Sequence, residues 1–261
     1  CEVLYWVGCA AAYDRRLQKV ARSVVKLMQA ANVNFAVLGN AEGCTGEAAR
    51  RMGDELLFQQ LAGKNIETFE RFGVRQGAKR IVSHCPHCVN SFRQDYPQLG
   101  ANLEVIHHTE FLDELIRNGR LKISASEAKS ASVTYHDPCY LARVQNVTAA
   151  PRALLSRVAG PKGIVEMPRH GRQTSCCGAG GGRMWFDDTA DKRVGQSRVA
   201  EALGTGACTL AVSCPFCLTM TTDGIAARSG EMAVRDIAEI LADALPPQHA
   251  KTGPPESTDG L

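Results

Sequence analysis

Arg80-Ile81-Val82-Ser83-His84-Cys85-Pro86-His87-Cys88 decides the fold of this chain. A short apolar, β-branched run stops at a Cys-Pro-x-Cys turn, which reads as a buried strand (80–83) delivering two thiols at its C-terminal end. The pattern recurs as Thr209-Leu210-Ala211-Val212-Ser213-Cys214-Pro215-Phe216-Cys217, with a strand at 209–213. Upstream of each lies a cysteine followed within two residues by glycine: Cys44-Thr45-Gly46 and Cys176-Cys177-Gly178. Further upstream, Cys9 follows Val3-Leu4-Tyr5-Trp6-Val7 and Cys139 follows Val133-Thr134-Tyr135. The three landmarks recur roughly 130 residues apart, so the chain reads as an internal duplication.

The elements between the landmarks alternate. In the first half, strands are expected at 2–8, 34–38, 80–83 and 103–106, with helices at 15–31, 47–71 and 109–116, Thr109 serving as N-cap of the last. In the second, strands at 132–136, 164–167 and 209–213 alternate with helices at 151–159, 189–203 and 235–245. That order predicts an α/β fold of two tandem βα domains with parallel sheets, the cysteine loops gathered at the C-terminal ends of the strands. The expected divisions are 1–117 for the first domain, 118–131 for a serine-rich linker, 132–245 for the second domain and 246–261 for a disordered, proline-containing tail.

Composition narrows the function. A net charge of +3 over 261 residues, with scattered arginines, gives no nucleic-acid-binding surface. No apolar run reaches the ~20 residues that cross a bilayer. Eleven cysteines, an odd number in a helix-rich chain, do not suit a secreted disulfide framework and point to a reduced, intracellular, metal-binding protein. The chain opens at Cys1 rather than Met, as expected of a piece with an anchor or domain upstream.

The candidate ligands are Cys9, Cys44, Cys85 and Cys88 in the first half and Cys139, Cys176, Cys177, Cys214 and Cys217 in the second. Thiolates converging from several loops suit iron and sulfide. The adjacent pair Cys176-Cys177 suits a larger or open cluster, and Gly178 and Gly180 let backbone amides approach it. Structural zinc normally takes two Cys-x-x-Cys pairs per site, whereas each half has one. A thiol–disulfide enzyme has no use for the remaining thiols. The glycine run lacks the Lys-Ser/Thr of a phosphate loop. Cys1 and Cys208 are read as small buried hydrophobes, Trp6 and Trp185 as core or cluster shielding, and His84, His87, His107, His108 and His136 as packed or solvated rather than ligating.

Taken together, Cys44-Thr45-Gly46-Glu47-Ala48-Ala49-Arg50-Arg51, His84-Cys85-Pro86-His87-Cys88, His136-Asp137-Pro138-Cys139-Tyr140-Leu141 and Cys176-Cys177-Gly178-Ala179-Gly180-Gly181-Gly182-Arg183-Met184-Trp185 resemble the cysteine-rich CCG-domain proteins over residues 2–245. That family includes the B subunit of heterodisulfide reductase and the iron–sulfur subunits of glycolate oxidase. The stretches look most like the C-terminal part of membrane-anchored iron–sulfur oxidoreductases associated with electron-transfer flavoprotein. The resemblance implies an electron-transfer oxidoreductase with iron–sulfur clusters of [4Fe-4S] type, noncubane in the second domain. It implies a flavoprotein donor, quinone as eventual acceptor, and a cytoplasmic location at the inner face of the membrane through an upstream anchor or ferredoxin-like domain. A second reading is a disulfide or thiol-substrate reductase at the second-half site; a third is a non-catalytic zinc scaffold. The first half departs from the family pattern at Thr45, which stands where a second adjacent cysteine would be.

Overall fold

The computed structural model describes residues 1–75, 77–124, 132–160, 163–186 and 193–246. Two parallel sheets form the frame. In the first, β1 (Val3–Trp6), β2 (Phe35–Ala36), β3 (Arg80–Ser83) and β4 (Val105–His107) lie in the order β2-β1-β3-β4. In the second, β5 (Val133–Tyr135), β6 (Thr209–Val212) and β7 (Ala233–Asp236) lie in the order β5-β6-β7. A single parallel bridge from Val133 to Ile164 stands where the first sheet has β2. The α/β, parallel, duplicated architecture is therefore the one expected.

Helices connect the strands: α1 (Cys9–Tyr13), α2 (Arg15–Ala30), α3 (Glu47–Arg51), α4 (Glu55–Arg71), α5 (Pro86–Asn90) and α6 (His108–Arg117) in the first half. In the second they are α7 (Ala149–Val158), α8 (Val194–Gly204), α9 (Pro215–Ala226) and α10 (Ile237–Asp243). Helix α2 buries Leu17, Val20, Val24, Leu27 and Met28, a stripe at helical spacing. On the first sheet, side chains alternate in the manner of a strand buried on both faces. Val3, Tyr5 and Val82 point into a core shared with Val133, Tyr135 and Leu210 of the second half. Leu4, Trp6 and Ile81 point to the other face, under Phe58, Phe69 and Phe92. Helix α10 packs on α2 and α7 on α6, so each half lays its helices on the other's.

Several expected elements are corrected. The helix expected over 47–71 is two helices, because Gly53 at φ +92° breaks the chain and Asp54 caps α4 by accepting from the Leu57 amide at 3.0 Å. Thr109 is not an N-cap. The cap is His107, whose Nδ1 lies 2.8 Å from Thr109 Oγ1, while Glu110 reaches back to the His107 amide. The strand expected at 164–167 is reduced to its one bridge. The first two residues of the helix expected at 235–245 belong to β7, and α10 begins only at Ile237 with Asp236 as cap. The linker and tail expectations fall largely on 125–131 and 247–261, outside the described residues, as does the 189–192 start of the helix expected before 203.

Candidate metal centre

Each thiol occupies a place that the fold makes equivalent in the two halves. Cys9 and Cys139 follow β1 and β5; Cys85 and Cys214 follow β3 and β6 and are the N-cap residues of α5 and α9, with proline next in line. Proline fits there because the first helical amide needs no partner within the helix. In parallel sheets all these strand ends face one edge.

In the first set, Cys9 hydrogen-bonds Cys44, and Cys88 hydrogen-bonds Cys85. The bond from Cys9 draws Cys44 down to about 6, helped by the Gly46 amide at 3.4 Å, and pushes Cys9 itself upward together with burial. Cys88 rises as donor to Cys85 and through burial. The Cys9 loop is pinned by Glu42, whose carboxylate accepts from the Val7 amide at 3.0 Å and from the Gly8 amide. Thr45 is buried with its hydroxyl 3.9 Å from Cys88 Sγ.

In the second set, Cys217 Sγ donates to Cys177 Sγ at 3.3 Å, and Cys176 accepts from Cys139, from Cys177 and from the Gly178 amide at 3.2 Å. Those donors hold Cys176 far below the ordinary thiol value, while Cys139, Cys177 and Cys217 move up. Burial pushes Cys214 up, but bonds from Cys217 and His87 outweigh it and bring it to about 5. The position of Cys214 at the N-terminus of the twelve-residue α9 favours the anion further. The five cysteines expected to converge in the second half, and the four in the first, are thus each brought together. Cys1 and Cys208 are exposed, not buried hydrophobes.

The sequence reading left the supports of this site unassigned. Arg198 on α8 is 1% exposed; its Nε donates to His136 Nδ1 at 2.8 Å, and its Nη1 to the Arg169 carbonyl and Glu201. Because guanidinium only donates, His136 must carry its proton on Nε2, which then donates to Cys217 Sγ at 3.3 Å. Burial first and Arg198 second push His136 down to about 3, so the ring stays neutral. The Nε2 of His136 and the sulfurs of Cys177 and Cys217 lie within 4.8 Å of one another, but that nitrogen is a donor, not a free lone pair. Trp185 is 61% exposed and edge-on to Phe216, not part of the core. Gly178 has φ +91°, and Gly180 lies against His87 and Tyr140, where a Cβ would meet His87 Cε1 at 3.8 Å and Tyr140 Cε2 at 3.9 Å. A cavity of about 410 Å³ opens beside Cys176, lined also by Arg183, Met184, Phe186 and Met220.

Paired thiol loops at the C-terminal edge of duplicated parallel sheets define a cysteine-rich redox domain. The chain belongs to the cysteine-rich domain family CCG, whose model matches residues 3–93 and again 133–222. It is 42% identical over 246 residues to the probable iron-sulfur-binding oxidoreductase FadF of Bacillus subtilis, covering 94% of this chain and 34% of that protein. It is 38% identical to the EtfAB:quinone oxidoreductase of Syntrophomonas wolfei, covering 94% and 34%. It is also 38% identical to the D subunit of the dihydromethanophenazine:CoB–CoM heterodisulfide reductase of Methanosarcina barkeri, covering 94% and 59%. The chain therefore spans about a third of the first two relatives. Among the described residues no helix is long and apolar enough to cross a membrane.

Proposed function

We propose that the chain is the electron-transfer part of an iron–sulfur oxidoreductase. Cys9, Cys44, Cys85 and Cys88 would hold one cluster, and Cys139, Cys176, Cys177, Cys214 and Cys217 a second. The observation that carries this reading is the gathering of thiols at the strand ends, once per half, with Cys217 Sγ 3.3 Å from Cys177 Sγ and the Gly46 and Gly178 amides 3.4 and 3.2 Å from Cys44 and Cys176 Sγ. Such groups suit an anionic, sulfur-bound centre, because the donors that now hold thiolates would face cluster sulfur instead. The Gly46 and Gly178 amides and His136 Nε2 are placed to donate to those sulfurs. A bound cluster would supply one-electron storage. The chain would position it, shield it and set its potential.

The EtfAB:quinone name of the Syntrophomonas wolfei relative supports a partner of the EtfAB kind as donor and quinone as eventual acceptor. Four thiols in the first set suit a conventional [4Fe-4S] cluster, and five in the second suit the noncubane form that the family resemblance implies. Anaerobic reconstitution with iron and sulfide, followed by metal and sulfide analysis and electron paramagnetic resonance, tests this. Visible absorption with acid-labile sulfide is expected; a colourless protein holding only zinc overturns it. A single zinc on Cys177, Cys217 and His136 would need the Nε2 lone pair that the Arg198 contact denies.

A second reading draws on the cavity beside Cys176. A thiol or disulfide substrate seated there would meet the second cluster directly. Turnover of small disulfides by the reduced, reconstituted chain would favour it.

A further inference from the structure

The middle residues of the two Cys-Pro-x-Cys turns are His87 and Phe216, and each leaves its own half. Phe216 packs against both the first-half core around Trp6 and the second thiol set. His87, although it lies between Cys85 and Cys88, sits against the turns of the other set, its ring facing Tyr140 beside Cys139 and Phe216 between Cys214 and Cys217, with the Cys214 thiol close enough to act on its protonation. The two rings meet edge-on, with centroids 5.0 Å apart. The imidazole is held on every side. Tyr140 stacks on it at 4.2 Å and 29°. Glu47 Oε1 stands 3.3 Å from its Nδ1, both groups more than nine-tenths buried. Gly180 lies beside the stacked pair, within van der Waals reach of both rings. Glu47 in turn begins α3, three residues after Cys44.

We propose that His87 is a positioning residue that couples the two thiol sets, fixed by Glu47 of the first half and Tyr140 of the second so that its ring sets the environment of the Cys214 sulfur. The inference rests on the cluster-binding reading above. A hydrogen bond to a ligating sulfur stabilises the more negative, reduced state of a centre and so raises its potential. The potential of the second centre is then partly written by the first half. Glu47 gives this arrangement direction: its carboxylate, 3.3 Å from Nδ1, favours one orientation of the ring electrostatically, which stacking alone does not do.

The test is an anaerobic redox titration of the reconstituted full chain, followed by electron paramagnetic resonance, for wild type, His87→Phe, His87→Gln and Glu47→Gln. His87→Phe keeps the ring stacking and removes the donor. It should move the second centre to lower potential with iron content and the first centre's potential unchanged. His87→Gln, which can still donate, should recover part of the shift. Glu47→Gln should move the same signal in the same direction by less. Equal potentials in wild type and His87→Phe overturn the proposal, as does a shift confined to the first centre. If wild type takes up no iron, the cluster reading fails by itself. The coupling is then read in the metal-free chain labelled with ¹⁵N-histidine: Cys214→Ser should shift the His87 ring nitrogens, and unmoved resonances overturn it.

Discussion

Thr45 and Cys177 occupy the same place in the two halves and face equivalent partners, the last cysteine of each Cys-Pro-x-Cys turn. Thr45 Oγ1 lies 3.9 Å from Cys88 Sγ, and Cys177 Sγ lies 3.3 Å from Cys217 Sγ. The two thiol sets thus differ by the side chain at one position. Cys177→Ser should give the second half the four-thiol composition of the first. The resonance signature of the second centre should change or vanish while that of the first persists; loss of both signals together would show a single shared centre. Glu42 supplies a pH dependence. Burial raises its carboxyl to about 7, against which the Gly8 and Val7 amides pull downward. A carboxyl raised on folding binds its proton more tightly in the native state, so its stabilisation is present below its unfolded value of about 4.5 and is lost as pH rises through about 7. For the metal-free chain this amounts to about 3 kcal/mol across that window. Urea titrations at several pH values should show the decline in wild type and a flatter profile in Glu42→Gln.

At the scale of elements, the second site depends on how α8 meets the Cys176–Cys177 turn. Gly195, the second residue of that helix, sits so close that a Cβ would come 2.4 Å from the Cys177 carbonyl oxygen. The obstacle is backbone, which cannot swing aside. Gly195→Ala should therefore cost about 1–3 kcal/mol by overpacking, read as a lowered melting temperature, and should displace Cys177 enough to reduce iron uptake in the second half alone. The same helix shows where the sequence was readable and where it was not. The strand-to-cysteine junctions were legible because β-branched runs ending in Cys-Pro-x-Cys leave little conformational choice. Helix α9 and its cap at Cys214 went unnoticed because Pro215-Phe216-Cys217-Leu218 carries no polar face to mark a helix. Arg198 could not be found either: a basic residue on a helix reads as solvated, and its burial against His136 exists only once α8 docks. His107 as a cap escaped for a related reason, since imidazole is not a usual capping side chain and Thr109 two residues on looked better.

Over the whole molecule, the two repeats share one apolar interior. Val3, Tyr5, Leu27 and Met28 of the first half and Tyr135, Leu154, Leu210 and Leu241 of the second belong to the same core. The seam between α2 and α10 is laced by polar contacts: Arg16 grips both Glu239 oxygens at 2.7 and 2.8 Å, and Lys26 donates to the Ala242 carbonyl at 3.2 Å. A second link joins the capped ends of β4 and β7, where His108 Nε2 lies 3.2 Å from Asp236 Oδ1 with both side chains buried. Neither half can close its own helix layer without the other, so we expect the repeats to unfold as one unit even though their thiol sets are separate. Leu241 is fully buried in α10. Leu241→Ala should cost about 2–5 kcal/mol through lost transfer energy and the cavity left behind. Its effect should reach across the seam: in hydrogen exchange of the metal-free chain, β1 and β3 amides of the first half should lose protection in step with β5 and β6. Protection lost only in the second half, or two separated unfolding transitions in wild type, would instead mean that each repeat folds alone and that the shared core is a docking face between finished domains.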